Sequence, residues 1–309
     1  MASWQDTLCW CAICIPSSHE APTPKSNMSY FHMLSHSVSA VNEDVVGFSR
    51  DEGWVLDGAT SISGRRRETS EGLETDASWF VREFSKGLSH RSLEPHLQRW
   101  ATSELQKLEA DGPLNWENWS HTDVPSASFA HVTLKPGSST FLNLGDCKII
   151  YQVDGGPISF FGSSEVHKFD HALLGEYLKV RKAEPGMTHQ QAWKHLVPTI
   201  RANRQRMNTS DGYWILSPDG KGLPYMQRKE VPFSSEMRAI LLTDGLYRLV
   251  DTYFSMDAET FFSRAFEPAG LSILVQELRS LEDADPNAEL YPRVKLQDDA
   301  SALLVSNRI

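Results

Sequence analysis

Several things are scarce in this 309-residue chain, and each scarcity excludes something. There are only four cysteines. Cys147 stands alone in mid-chain, so no disulfide framework of a small secreted domain is written here. No apolar run approaches the ~20 residues of a membrane helix; the one around Cys14 breaks at Pro16. That run follows Asp6 and no basic residue, which makes a poor secretory signal. Positive charge is also short, with 30 Lys+Arg against 40 Asp+Glu, a formal net charge of −10. Nucleic-acid affinity rests on cations that neutralise phosphates, and an anionic lipid surface asks for the same. The reading is a cytoplasmic protein, monomeric, with no nucleic-acid partner and no transmembrane segment.

What is present suffices for a core. Hydrophobic residues make up 40% and charged residues 23%, which excludes wholesale disorder. Cys9, Cys11 and Cys14 form C-x-C-x-x-C, a spacing that suits a soft metal or a lipid anchor. The plainer reading is a leader with incidental thiols. Residues 15–29 (IPSSHEAPTPKSNMS) carry three prolines and four serines and little to bury. Residues 1–29 therefore read as a flexible leader and 30–309 as one domain.

Within that domain, EGWVLDG (52–58) reads as a strand on which Val55 and Asp57 share a face. Between Glu71 and Leu88, Ala77, Phe80, Val81, Phe84 and Leu88 recur at helical spacing. A second helix is expected over about 93–109. SASFAHVTL (126–134), STFLNLG (139–145) and KIIYQV (148–153) read as an antiparallel meander, with turns at Pro136-Gly137 and Gly145-Asp146. Thr188 and Gln191 make a capping box for a helix that Pro198 should interrupt or kink. RAILLTDG (238–245) reads as a strand, 271–281 as a helix and SALLVS (301–306) as a closing strand. An α+β domain with antiparallel strand neighbours accounts for this order better than a βαβ series.

The informative pattern is acidic residues at the ends of apolar strands. Asp57-Gly58 follows WVL, Asp244-Gly245 follows ILLT, and Asp298-Asp299 precede ALLV. Glu43-Asp44 precede VVGF, and Asp146 sits in a turn. An isolated Asp-Gly is a turn signal. Several carboxylates at one rim repel one another and call for a cation, and hard divalent ions take such oxygen ligands.

These segments, in this order, resemble the metal-dependent protein serine/threonine phosphatases of the 2C type. VNEDVVGF (41–48) is similar to that family's acidic opening motif and WVLDGATSISG (54–64) to its Asp-Gly-His-Gly-Gly segment. PSASFAHVTL (125–134) is similar to its Gly-Ser-Thr-Ala strand and LNLGDCKIIY (142–151) to its Gly-Asp-Ser-Arg hairpin. ILLTDGLYRLV (240–250) resembles Ser-Asp-Gly-Leu-Trp, and DDASALLV (298–305) the closing Asp-Asn-x-Thr strand. The resemblance implies a β-sandwich of two antiparallel sheets flanked by helices, four layers deep, with a dinuclear site at one end. It implies two Mn2+ or Mg2+ ions per site, with room for a third, weaker ion. Asp57 would bridge the two ions, the Gly58 carbonyl would bind the first, and Asp244 and Asp298 would complete the second. Asp146, with Asp244, matches the third position, while Glu43 and Asp44 would act through water. Adjacent strand residues face opposite ways, so one of that pair would do so. The implied reaction is hydrolysis of phosphoserine or phosphothreonine in a phosphoprotein substrate by a hydroxide held between the ions.

Two departures bear on activity. Ser39 stands where many members of the family carry a phosphate-binding Arg, and Ala59 replaces the His proposed as general acid. Arg65, Arg66 and Arg67 are candidates for the phosphate contact, since guanidinium matches phosphate geometry; a solvated loop is the alternative. Residues 155–235 correspond to a variable flap in the family, ending near MNTSDGYWILS (207–217). RANRQRM (201–207) reads as an exposed helix face. His32/His36 and His167/His171 have i, i+4 spacing but no Glu directly after the first His, so zinc sites are not expected. The rival reading is a catalytically weak or silent member that binds a phosphoprotein or partner as a regulator. A nuclease or other two-metal hydrolase would share the carboxylates but bring a basic groove.

Overall fold

The computed structural model describes residues 28–59, 66–69, 72–89, 96–111, 119–120 and 122–309. The cysteine cluster, the Pro/Ser-rich leader up to residue 27, and Arg65 lie outside the described residues.

Alternation along the strands builds the layers. In β3 (Glu52–Ala59) Val55 joins one apolar cluster while Trp54 and Leu56 join another. The same split separates Leu241 from Ile240 and Leu242 in β11 (Glu236–Leu242), and Leu303 and Val305 from Leu304 in β12 (Ala300–Arg308). The shared cluster is the filling between two sheets. One sheet has the order β1-β12-β11-β8-β9, with β1 at Met28–His36, β8 at Lys148–Val153 and β9 at Ile158–Phe161. The other runs β10-β7-β6-β3-β2, with β2 at Asp44–Ser49, β6 at Ser126–Lys135, β7 at Ser138–Leu144 and β10 at Gln227–Pro232. All pairings within both are antiparallel.

Helices cover the outer faces. α1 (Asp76–Leu88) and α2 (Leu97–Asp111) pack Phe80, Phe84, Leu88 and Leu105 against Trp54, Leu56 and Phe129. α5 (Asp244–Asp251), α6 (Ala258–Ala265) and α7 (Gly270–Ala284) pack Leu246, Phe261, Leu274 and Leu278 against Ile150, Ile240 and Leu304. The result is an αββα sandwich, as the sequence resemblance implied. Between β9 and β10 lie α3 (Glu165–Ala183) and α4 (His189–Gln205), which share a small cluster of Tyr177, Met187, Ala192 and Leu196.

Three local expectations are corrected. β6 and β7 pair, but β8 belongs to the other sheet, so Gly145-Asp146 is a corner between sheets and not a hairpin turn. Residues 72–75 form β5 (Gly72–Thr75), paired with β4 (Arg66–Thr69), and α1 starts only at Asp76. The reason is a capping box: the Thr75 side chain accepts from the Ser78 amide and the Ser78 hydroxyl from the Thr75 amide. The Thr188–Gln191 box opens α4 as expected, and of the two effects expected of Pro198 the interruption does not occur: the helix runs on to Gln205. His32 and His36 lie on a strand, whereas His167 and His171 share the first turns of α3.

Phe129, fully buried in the middle of its sheet, makes an edge contact with Phe84 at a 6.1 Å centroid separation. Phe129→Ala should lower stability by about 3–5 kcal/mol, read as an earlier urea midpoint with an unchanged slope.

Candidate functional site

The strand period carries the acidic groups to one end of the sandwich. Asp57 has the same parity as Val55, so its carboxylate faces the gap between the sheets. Asp44 is its direct partner across the β2–β3 ladder, and Ser128 its partner across β3–β6. Thr243 follows Leu242 on β11 and is the N-cap of α5, which makes Asp244 the first helical residue. Its hydroxyl donates to the Asp44 carboxylate at 2.9 Å and accepts from the Ser301 amide at 3.1 Å. One threonine thus joins both sheets at the site.

Two more contacts fix the rim. The Asp146 carboxylate accepts a very short hydrogen bond from the Ser128 hydroxyl, which itself accepts from the Asp146 amide at 3.1 Å. The Gly58 amide donates to the Glu43 carbonyl at 3.0 Å, and a Cβ on Gly58 would fall 2.5 Å from that oxygen. The Asp-Gly pair is therefore a requirement of close backbone approach as well as a strand-end signal. Glu43 and Asp44 diverge: the Thr75 hydroxyl donates to the Glu43 carboxylate, while Asp44 faces Asp57. Asp299 accepts from the Glu43 amide at 2.7 Å.

Crowding shows in the titration of these groups. Asp44 is held well above the ordinary carboxylate range by burial, then by Asp299 and Asp298. Asp57 is raised by burial and by Asp44, Asp244 and Asp146, and Asp244 is pushed up to about 6 by burial and Asp298. Asp57 and Asp244 keep some contact with solvent, which softens the burial contribution and leaves like-charge repulsion as the firmer cause. Neither carboxylate receives a hydrogen bond or forms an ion pair among the described residues.

Asp298 differs. Burial would raise it, yet Lys295 and Arg248 hold it below the usual range. Its Oδ2 accepts from Arg248 Nη2 at 2.7 Å and its Oδ1 from Lys295 Nζ at 3.0 Å. Its Oδ1 also accepts from the Asp299 amide at 3.2 Å. The structure therefore brings Asp44, Asp57, Asp146, Asp244 and Asp298 to one rim, and of these Asp298 is the one that pairs with protein cations. Arg66 is exposed on β4, opposite the same Thr75 that bonds Glu43.

Four site residues were not singled out in the sequence. Arg248 lies four residues after Asp244, a spacing that matters only once the helix is known, and Lys295 lies three before Asp298 in the irregular segment ahead of β12. Thr243 was visible within ILLTDG without its role. Asp170 on α3, which keeps solvent contact although much of its surroundings is protein, is pushed up to about 7 by partial desolvation and by Asp146 and Asp244.

Among the described residues no three His, Cys, Asp or Glu side chains stand close enough to form a ready-made metal group. The donor chemistry still suits one hard divalent ion on the Asp57 side, where the Asp57 and Asp244 oxygens accept no hydrogen bond and form no ion pair among the described residues. It does not suit a second ion at Asp298, whose oxygens are already filled.

This architecture is shared with solved serine/threonine phosphatases. The catalytic domain of the serine/threonine phosphatase PstP, crystallised with two manganese ions, aligns over 91% of this chain and 99% of its own, with a TM-score of 0.51 and 12% identity. Stp1 from Staphylococcus aureus aligns over 95% and 99%, with a TM-score of 0.51 and 12% identity. PppA of Pseudomonas aeruginosa, described as a key regulatory component of the T6SS, aligns over 90% and 96% at 0.50 and 13%. The fold is thus that of the 2C-type serine/threonine phosphatases. No family model and no curated protein matches the sequence itself. Among the described residues no helix is long and apolar enough to cross a membrane.

The Asp244 shift sets a pH dependence. With a raised pKa, the folded metal-free chain binds more protons than the unfolded chain between about pH 4 and 6, so this carboxyl costs stability as pH rises through that window. Asp244→Asn should therefore gain Tm relative to the parent between pH 4 and 6, with no further gain above. A constant difference from pH 4 upward would contradict the assigned crowding.

Proposed function

We propose that the chain is a divalent-metal-dependent protein phosphatase acting on phosphoserine or phosphothreonine. The observation that carries this reading is the pair of carboxylates, Asp57 and Asp244, that repel each other at the end of a phosphatase-type sandwich and take no direct hydrogen bond or ion pair among the described residues. A bound Mn2+ or Mg2+ would supply an acidified water as nucleophile and would offset the charge of the phosphoryl group. Asp57, Asp44, Asp146 and Asp244 would hold and orient that cation. Thr243 fixes Asp44 from the opposite sheet, and Ser128 fixes Asp146. Arg66, on its exposed strand beside the Glu43 side of the rim, is the described member of the Arg65–Arg67 run that could steady the substrate phosphate. Residues 155–235, with α3 bringing Asp170 towards the carboxylates, would form the side of the cleft that meets the phosphoprotein.

Ala59 leaves the leaving alkoxide without the usual proton donor. A lost general acid typically costs ~10²–10⁴-fold, and p-nitrophenolate needs no such help. The chain should hydrolyse p-nitrophenyl phosphate in Mn2+ while turning over phosphoserine peptides far more slowly. Ala59→His should narrow that gap by raising the peptide rate alone.

Asp57→Asn should reduce Mn2+-dependent hydrolysis by more than about a hundredfold, since even outer partners of metal ligands are worth 10–100-fold. Undiminished activity in that variant would remove the assignment. The second reading, a silent phosphatase-fold regulator, is favoured by Asp298 being engaged by Arg248 and Lys295. It would be chosen if the folded chain bound phosphopeptide without turning it over.

A further inference from the structure

Asp298 is where this chain departs most from a two-ion centre. Its Oδ2 is taken by Arg248 Nη2 at 2.7 Å, and its Oδ1 by Lys295 Nζ at 3.0 Å and the Asp299 amide at 3.2 Å. Lys295 Nζ also lies 3.0 Å from Oδ2, so each oxygen already has two donors and an ion would have to displace one of them.

The two cations are not equally free to leave. Lys295 is largely exposed, with 58% of its side-chain area open. Arg248 is 11% exposed and sits one helical turn beyond Asp244, and its Nη1 donates to the Lys295 carbonyl at 3.3 Å. The acceptor is fixed too: Arg279 Nη2 donates to the Asp298 carbonyl at 2.8 Å, while Arg279 Nη1 pairs with the fully buried carboxylate of Glu282 at 2.6 Å. The guanidinium is thus held by its own helix and the residue-295 segment, against a carboxylate that α7 anchors from behind.

Resting on the phosphatase reading above, we propose that Arg248 and Lys295 are built-in replacements for the second divalent ion, so that the site takes up one such ion per chain, on the Asp57 side. A fixed guanidinium beside Asp298 both consumes the ligand's charge and repels an incoming cation. On the other side no described side chain donates to or pairs with the Asp57 and Asp244 carboxylates, so their oxygens remain open to an ion.

The test counts ions on the full chain. Metal-free protein titrated with Mn2+ in a calorimeter, with bound ion counted by paramagnetic resonance, should take up one ion, and Asp57→Asn should take up none. The double variant Arg248→Gln/Lys295→Gln should take up two. Its metal-free form should melt below the parent and recover on adding Mn2+, because freed Asp298 then has a partner. If the double variant does not fold without metal, Lys295→Gln alone should show a second, weaker uptake. Two ions in the parent, or one in both parent and double variant, would overturn the inference and leave the phosphatase reading intact. Uptake by the double variant but not the parent would support the replacement while removing the metal-dependent reading of the natural chain. Uptake by neither would overturn both.

Discussion

Carboxylates that repel one another are held together by the two sheets and the helices that carry them. The Thr243 hydroxyl, donating to Asp44 of one sheet and accepting from Ser301 of the other, closes the two layers at the point where charge is densest. Behind it Val55, Leu241 and Leu303 are wholly buried between the sheets. Apolar burial of this kind, about 25 cal/mol per Å², is what opposes the repulsion at the rim. A site of this type is a strained edge on a stable interior, not an independent structure.

The same edge explains the unequal treatment of its acids. Asp44 and Asp57 face each other across a ladder, where like charges directly opposite are destabilising, and neither can turn away without leaving the strand. Asp298 lies just before β12 in a segment that passes α5, so it can reach the guanidinium one turn along that helix. Local geometry therefore decides which carboxylates crowd one another without an ion-pair partner and which become ordinary ion-pair partners. The fold places acids at one end of the sandwich; the neighbours at residues 248 and 295 decide their chemical standing.

The backbone of the rim is as constrained as its side chains. Gly58 must pass the Glu43 carbonyl, and a Cβ on Gly245 would fall 1.9 Å from the Asp299 carbonyl. Both close approaches join segments distant in the chain, which ties the acidic motifs to one another through main chain as well as charge. Buried Cys147 belongs to the same neighbourhood: burial and the charges of Asp57 and Asp146 hold its thiol far from ionisation. It packs there as a small apolar group.

Periodicity along the chain was enough to place Val55 with Asp57, to pair β6 with β7, and to find the apolar stripes of α1 and α7, because these are local properties with periods of 2 and 3.6. It was also enough to mark Asp57, Asp244 and Asp298 as strand-end acids. It misplaced the Gly145-Asp146 corner, since a glycine turn looks the same whether the next strand pairs with its neighbour or crosses to another sheet. It expected Pro198 to interrupt or kink α4, and the structure shows no interruption there. Only the tertiary structure could divide the acids into those facing one another and the one paired with Arg248 and Lys295. That division depends on distances between segments about 50 and 240 residues apart, and no local period encodes such distances.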